Sequence, residues 1–217
     1  MTKKALLVTD VTDCFGPKGE LPVPAGIEEA RSTVSAINRM IEGIENNPHG
    51  WALIVFSRDW HDDNSPHFEK WPKHGVKFTQ GSEFYPGLIT RSTKIPIAIV
   101  SKGLGKVDGY SPFDPMPDVN IILVMPDGRV YLWEGDLDSL AVHLGVVAFF
   151  NSGWAKNYCV EAGNMAAIKK GYRVYLLTDA TDGVNVSADP DNHMEKSDKR
   201  MVDAGVIFTT TKEVLNA

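Results

Sequence analysis

The sequence has 217 residues, a length that suits one large domain or one domain with an insertion, since domains run to roughly 100–200 residues. With 43% hydrophobic and 23% charged residues its composition is globular, which excludes disordered, collagen-like and coiled-coil chains. Twenty-two basic against twenty-eight acidic residues leave a net charge of −6, so the chain lacks the electrostatic footprint of a nucleic-acid or anionic-membrane partner.

In chain order, the first element is the aliphatic run Ala5-Leu6-Leu7-Val8, which predicts a strand and is far too short for a signal-peptide core. No stretch approaches the ~20 apolar residues of a membrane helix, and a cytoplasmic protein is expected. Residues 27–44 place Ile27, Ala30, Val34, Ile37, Ile41 and Ile44 at helical spacing. A strand over 52–56 follows, and then 58–94, rich in Pro and Gly and without periodicity; so long an irregular stretch is usually functional. Next come a strand over 95–100 and a Pro-rich segment in which Pro126-Asp127-Gly128 joins two apolar runs. That turn predicts a β-hairpin inserted at about 114–135, either a flap or an oligomer contact. Helices are predicted over 137–144, 158–170 and 191–204, and strands over 146–150, 173–177 and, more weakly, 206–209. Strands apolar throughout, alternating with helices, predict a three-layer, doubly wound, mostly parallel α/β sheet formed by residues 1–217 as a single domain.

Four strand ends carry polar residues suited to chemistry. Asp10 directly follows the first strand, at the sheet edge where open α/β folds bind ligands, although a loop or capping Asp would look the same. Cys159 falls near the start of a predicted helix, where unpaired N–H groups and the helix dipole would lower a thiol pKa and supply oxyanion donors; its plainer reading is a buried, inert cysteine. With only Cys14 and Cys159 present there is no disulfide framework, so at least one thiol is free to react. Asp59, His61, His67 and His74 gather on the irregular loop, a mixed O/N set that suits Zn²⁺, Fe²⁺ or Mn²⁺ better than Ca²⁺; His49, His143 and His193 have no such neighbours. Lys102, otherwise an ordinary surface lysine, ends a strand at the same edge and could stabilise a thiolate.

Five segments in this order resemble the isochorismatase-like cysteine hydrolases, and within them the nicotinamidase branch. They are Asp10-Val11-Thr12-Asp13-Cys14-Phe15; Arg58-Asp59-Trp60-His61 with His67, Trp71-Pro72-Lys73-His74 and residues 81–88; Lys102-Gly103 with Tyr110-Ser111-Pro112-Phe113; residues 153–160 around Cys159; and Asp179-Ala180-Thr181-Asp182-Gly183-Val184. Departures from the family pattern are Asn157 for an Asp, Gly75 for a Cys, Trp154 for a small aliphatic residue, and the hairpin.

The resemblance implies hydrolysis of nicotinamide to nicotinic acid and ammonia through a thioester on Cys159. It implies Asp10 as proton carrier, Lys102 as the third catalytic group, and Ala155 and Cys159 N–H groups as an oxyanion hole beside a cis Trp154–Ala155 bond. It further implies a divalent metal, zinc before iron or manganese, on Asp59, His61, His74 and His67. Phe15, Trp71, Tyr110 and Tyr158 would enclose the substrate ring, and relatives are often dimers or tetramers. Reference pKa values of about 8.5 for a thiol and 3.9 for Asp make the thiol-to-Asp10 proton transfer uphill by roughly 6 kcal/mol, so both groups must be shifted. The alternatives are an amidohydrolase of a carbamoyl or ureido substrate, suggested by Asn157, Gly75 and the insertion, and a noncatalytic binding protein of the same fold.

Overall fold

The computed structural model describes residues 2–104, 109–114 and 121–217. Eight strands form one sheet in the order β5-β4-β3-β2-β1-β6-β7-β8. They are β1 (Lys3–Thr9), β2 (Trp51–Asp59), β3 (Ile97–Lys102), β4 (Ile121–Val124), β5 (Val130–Trp133), β6 (Val146–Gly153), β7 (Arg173–Thr181) and β8 (Ile207–Thr209). Pairing is parallel except where β4 joins β3 and β5. The chain builds outward from β1 in one direction through β2 and β3, then restarts on its other side with β6. The carboxyl ends of β3, β2, β1 and β6 therefore lie side by side at the switch in strand order, where ligands of such sheets bind.

Strand side chains alternate between two cores, which is what a sheet covered on both faces requires. Leu6, Val8, Ile54 and Phe56 pack with Ile37, Met40 and Ile41 of α1 (Ile27–Asn46). Ala5, Leu7, Leu53 and Val55 pack on the other face with Leu137 and Leu140 of α2 (Leu137–Leu144) and Met201 of α4 (Met194–Asp203). α3 (Glu161–Lys169) adds Ala167 to that face. Ile27, the first of the apolar residues at helical spacing, is 40% exposed at the first position of α1.

Several boundaries differ from expectation. β3 begins at Ile97 and not at Ile95, since Pro96 has no N–H to donate to a ladder. The helix expected at 158–170 opens as one π-helical turn, Lys156–Val160, before α3. The last expected helix is confined to α4, preceded by a 3₁₀ turn at Pro190–Asn192. α5 (Thr211–Leu215) was not expected, although its Thr210/Glu213 capping box is visible in the sequence. The hairpin forms but is no flap: β4 and β5 extend the main sheet at its edge. Residues 115–120 of that insertion, with Pro115 and Pro117, lie outside the described residues. No helix among the described residues is long and apolar enough to cross a membrane.

Candidate active site

Asp10 follows β1 with φ of 50°, a left-handed conformation that Asp tolerates better than most residues. Its N–H donates to Ser57 O at 3.2 Å, its Oδ1 accepts from Ser57 Oγ at 2.7 Å, and its Oδ2 forms an ion pair with Lys102 Nζ at 2.8 Å. Lys102, 1% exposed at the end of β3, also donates to Asp59 Oδ1 and, at 3.4 Å, to Cys159 Sγ. One ammonium thus gathers two carboxylates and a thiol from four strand ends. Ser57 was not foreseen, because a serine inside an apolar strand carries no chemical signature.

The electrostatics follow from burial. Desolvation raises the Asp10 carboxyl, and the Lys102 charge only partly offsets it. Burial alone would lower the Lys102 ammonium, but Asp10 and Asp59 hold it well above its ordinary value. Burial would raise Asp59, yet the Lys102 ammonium holds it well below. Cys159 departs from the sequence expectation: its thiol is pushed well up, by burial first, with Lys102 opposing and Asp10 and Asp59 reinforcing. No helix terminus lowers it, because Cys159 sits within the π-helical turn, 5% exposed and facing carboxylates. The raised Asp10 carboxyl narrows the proton-transfer gap from its side, while the raised thiol widens it from the other, and the Lys102 ammonium opposes that rise of the thiol.

The segment leading to Cys159 is held from several directions. Gly153 has φ of +104°, and a Cβ there would lie 2.1 Å from Thr9 O, so only glycine lets β6 pass β1 so closely. The Trp154–Ala155 peptide is cis. Trp154, fully buried, donates from Nε1 to Asp182 Oδ2 at 3.3 Å and packs edge-on against Tyr85. Space for the indole in place of a small aliphatic residue comes from that Asp182 and Tyr85 pocket.

His61, His67 and His74 are buried, with one ligand atom of each within 4.8 Å of the others. Nδ1 of His61 lies 3.1 Å from Gly103 O, and Nδ1 of His74 lies 2.6 Å from Pro72 O. A carbonyl only accepts, so both Nδ1 atoms carry the proton and both Nε2 lone pairs point inward. Asp59 Oδ2 is 3.6 Å from His61 Nε2 and 3.4 Å from His74 Nε2, close to the ~3.3 Å between ligand atoms of a tetrahedral ion with 2.0–2.1 Å bonds. Buried His61 Nε2 has no hydrogen-bond partner. Two carboxylates against one ammonium also leave a net negative charge that a cation here would balance. The residues fit a divalent metal ion. Gly75 stands where a cysteine was expected: its φ is +53°, and a Cβ would press 2.8 Å from Asp59 Cβ.

Gly103 matters similarly, because a Cβ there would lie 2.3 Å from His61 Cε1. Gly103→Ala is expected to displace that ring and weaken divalent-metal binding about 10–100-fold, the usual cost of disturbing a ligand's support, as read by competition with a fluorescent chelator. Unchanged affinity would remove His61 from the ligand set.

A cavity opens between the thiol and the histidines. Phe15, Trp71, Tyr110, Ala155 and Tyr158 line it, as do Asp59, His67, His74 and Cys159, so every residue expected to enclose a substrate is present. Phe15 tilts against His74 at 5.2 Å, Trp71 stands edge-on to Tyr158 at 5.2 Å, and Trp71 Nε1 donates to Tyr110 OH at 2.8 Å. Leu21, Pro22, Val23, Val184 and Val186 complete the lining and were missed; apolar loop residues resemble ordinary packing in a sequence.

No family profile matches the chain. A nicotinamidase of Escherichia coli (strain K12) is 29% identical over 220 residues, 89% of each chain. The solved pyrazinamidase of Pyrococcus horikoshii in complex with zinc is 30% identical, with a TM-score of 0.72 over 96% of this chain and 99% of that one. An isochorismatase-like hydrolase from Alkaliphilus metalliredigens shares the fold, with a TM-score of 0.71 at 21% identity over 99% and 98%. Fold and comparisons together define a hydrolase of doubly wound α/β fold, with this cluster at the carboxyl edge of its sheet. Within that class, the chain belongs to the isochorismatase-like hydrolases, in their nicotinamidase-like branch.

Proposed function

We propose that this chain is a nicotinamidase, hydrolysing nicotinamide to nicotinic acid and ammonia in NAD salvage, with residues 1–217 acting as one cytoplasmic catalytic domain. The carrying observation is the cluster of Asp10, Lys102 and Cys159 opening onto an aromatic cavity beside three imidazoles.

In this reading Asp10 takes the thiol proton as Cys159 Sγ attacks the carboxamide carbon, while Lys102 stabilises the forming thiolate. The N–H groups of Ala155 and Cys159 receive the oxyanion. Asp10 then passes the proton to the amide nitrogen, the C–N bond breaks and ammonia leaves a thioester. Next Asp10 deprotonates a water that attacks the same carbon; the C–S bond breaks and the thiol recovers its proton. A divalent ion on His61, His67, His74 and Asp59, zinc before iron or manganese, would hold the ring nitrogen. Phe15, Trp71, Tyr110 and Tyr158 enclose the ring.

Among the described residues no arginine or lysine lines the cavity, which favours an uncharged heteroaromatic amide over a carbamoyl amino acid carrying a carboxylate. The protein works as a homo-oligomer, for which β5 offers an edge with Val130, Tyr131 and Leu132 exposed, a point for light scattering.

The test is ammonia release from nicotinamide by metal-replete protein, followed by chelation and re-addition of zinc, iron or manganese. Turnover should fall at least about 100-fold on chelation and return with one of these ions. No ammonia from nicotinamide, or release from ureido acids only, rejects the assignment.

A further inference from the structure

We infer that Asn157 is a specificity-determining residue: it ties the nucleophile turn to the loop over 183–192 and so sets the cavity wall on which the substrate ring rests. The substrate named in its test rests on the proposed activity, but the clamp stands on geometry alone.

Asn157 is 1% exposed, two positions before Cys159. Its Nδ2 donates to Val184 O at 2.8 Å and to Asn192 O, and its Oδ1 accepts from Val184 N at 3.1 Å. A single amide therefore grips both ends of the loop. Gly183 makes the grip sterically feasible, since a Cβ there would stand 2.7 Å from Asn157 Oδ1. Val184 and Val186 line the cavity, whereas Asn157 does not. It acts on the substrate space through them.

The chemistry demands an amide. Two carbonyls need donors and one N–H needs an acceptor, and only a primary amide supplies all three from one planar group. An ionised Asp would accept the Val184 N–H but set its charge against two carbonyl oxygens. The Asn for Asp departure noted in the sequence is thus built into the loop that faces the substrate.

Asn157→Asp is expected to raise KM for nicotinamide at least about fivefold with kcat held within about threefold, the signature of lost uniform binding. It should also raise turnover of the bulkier 5-methylnicotinamide relative to nicotinamide. Between about pH 8 and pH 5.5 the variant-to-wild-type KM ratio should fall, because a buried Asp of raised pKa protonates there and regains one donor. Asn157→Ala should show no such recovery. Gly183→Ala, which pushes on the amide without changing it, should reproduce the KM effect. Amide exchange at Val184 should quicken at least about tenfold in Asn157→Ala, which removes the acceptor of its N–H.

Unchanged KM, a loss in kcat alone, or a pH-independent ratio overturns the inference. So does unchanged Val184 protection in Asn157→Ala, whatever the substrate. Faster exchange in Asn157→Ala, with wild-type protein inactive on nicotinamide, would keep the clamp and reject the activity instead.

Discussion

Replacing Cys159 by serine is expected to lower nicotinamide turnover by at least about 10⁴-fold while leaving the fold and ligand binding in place. The side chain is buried at the cavity, 3.4 Å from Lys102 Nζ, and oxygen fits where sulfur sits. What changes is acidity. An alcohol is many pKa units weaker an acid than a thiol, so Asp10 cannot take its proton, however far burial has raised that carboxyl. Single-turnover ammonia release gives the chemical step, and nicotinamide titration gives binding. Turnover within about tenfold of wild type would show that Cys159 is not the nucleophile.

The second large effect is expected for Lys102→Ala. Its ammonium is the only cation touching the buried Asp10, Asp59 and Cys159 cluster among the described residues. Its removal leaves two buried carboxylates without their cation, a loss that costs about 3–5 kcal/mol for a broken buried pair. At about 2–4 °C per kcal/mol for a chain this size, Tm should drop by roughly 10 °C. The thiol should respond in the same experiment. At 3.4 Å and an effective dielectric near 20, the ammonium favours the thiolate by about 5 kcal/mol before desolvation is counted. Lys102 is the neighbour that lowers this thiol's pKa, so removing it moves the pKa up and reduces the thiolate fraction at any given pH. Iodoacetamide should alkylate Cys159 at least about tenfold more slowly at neutral pH. Cys14 is the internal reference: it is buried beside Thr12, its thiol is pushed far up by burial, and it should react slowly in both proteins. An unchanged alkylation rate at Cys159 contradicts the role given to Lys102.

These expectations depend on features of unequal visibility in the sequence. Asp10, Lys102 and the metal-loop histidines could be named because each follows a strand that its aliphatic residues announce. Ser57 and Val184 act through contacts with residues 47 and 27 positions away, and nothing local marks them, whereas Asn157 stood out only as a departure from the family pattern. The cysteine misled in one respect. A position near a helix start argued for a lowered pKa, but burial of the thiol first, and then two facing carboxylates, outweigh the helix end. The Pro-Asp-Gly hairpin was legible as a hairpin, since its turn is local. Its partner was not, because whether it covers the site or extends the sheet depends on how β4 pairs with β3.

By itself the sequence determined the strand and helix pattern, the parallel sheet it demands, and which residue types could carry chemistry, because hydrophobic period and turn chemistry are properties of neighbouring residues. Tertiary structure alone decided that one ammonium joins two carboxylates and a sulfur from separate strand ends, that three imidazoles converge beside them, and that an asparagine closes the wall. Charge stabilisation and desolvation depend on distance in space and on the exclusion of water, and a chain acquires both only when strands remote in sequence lie side by side.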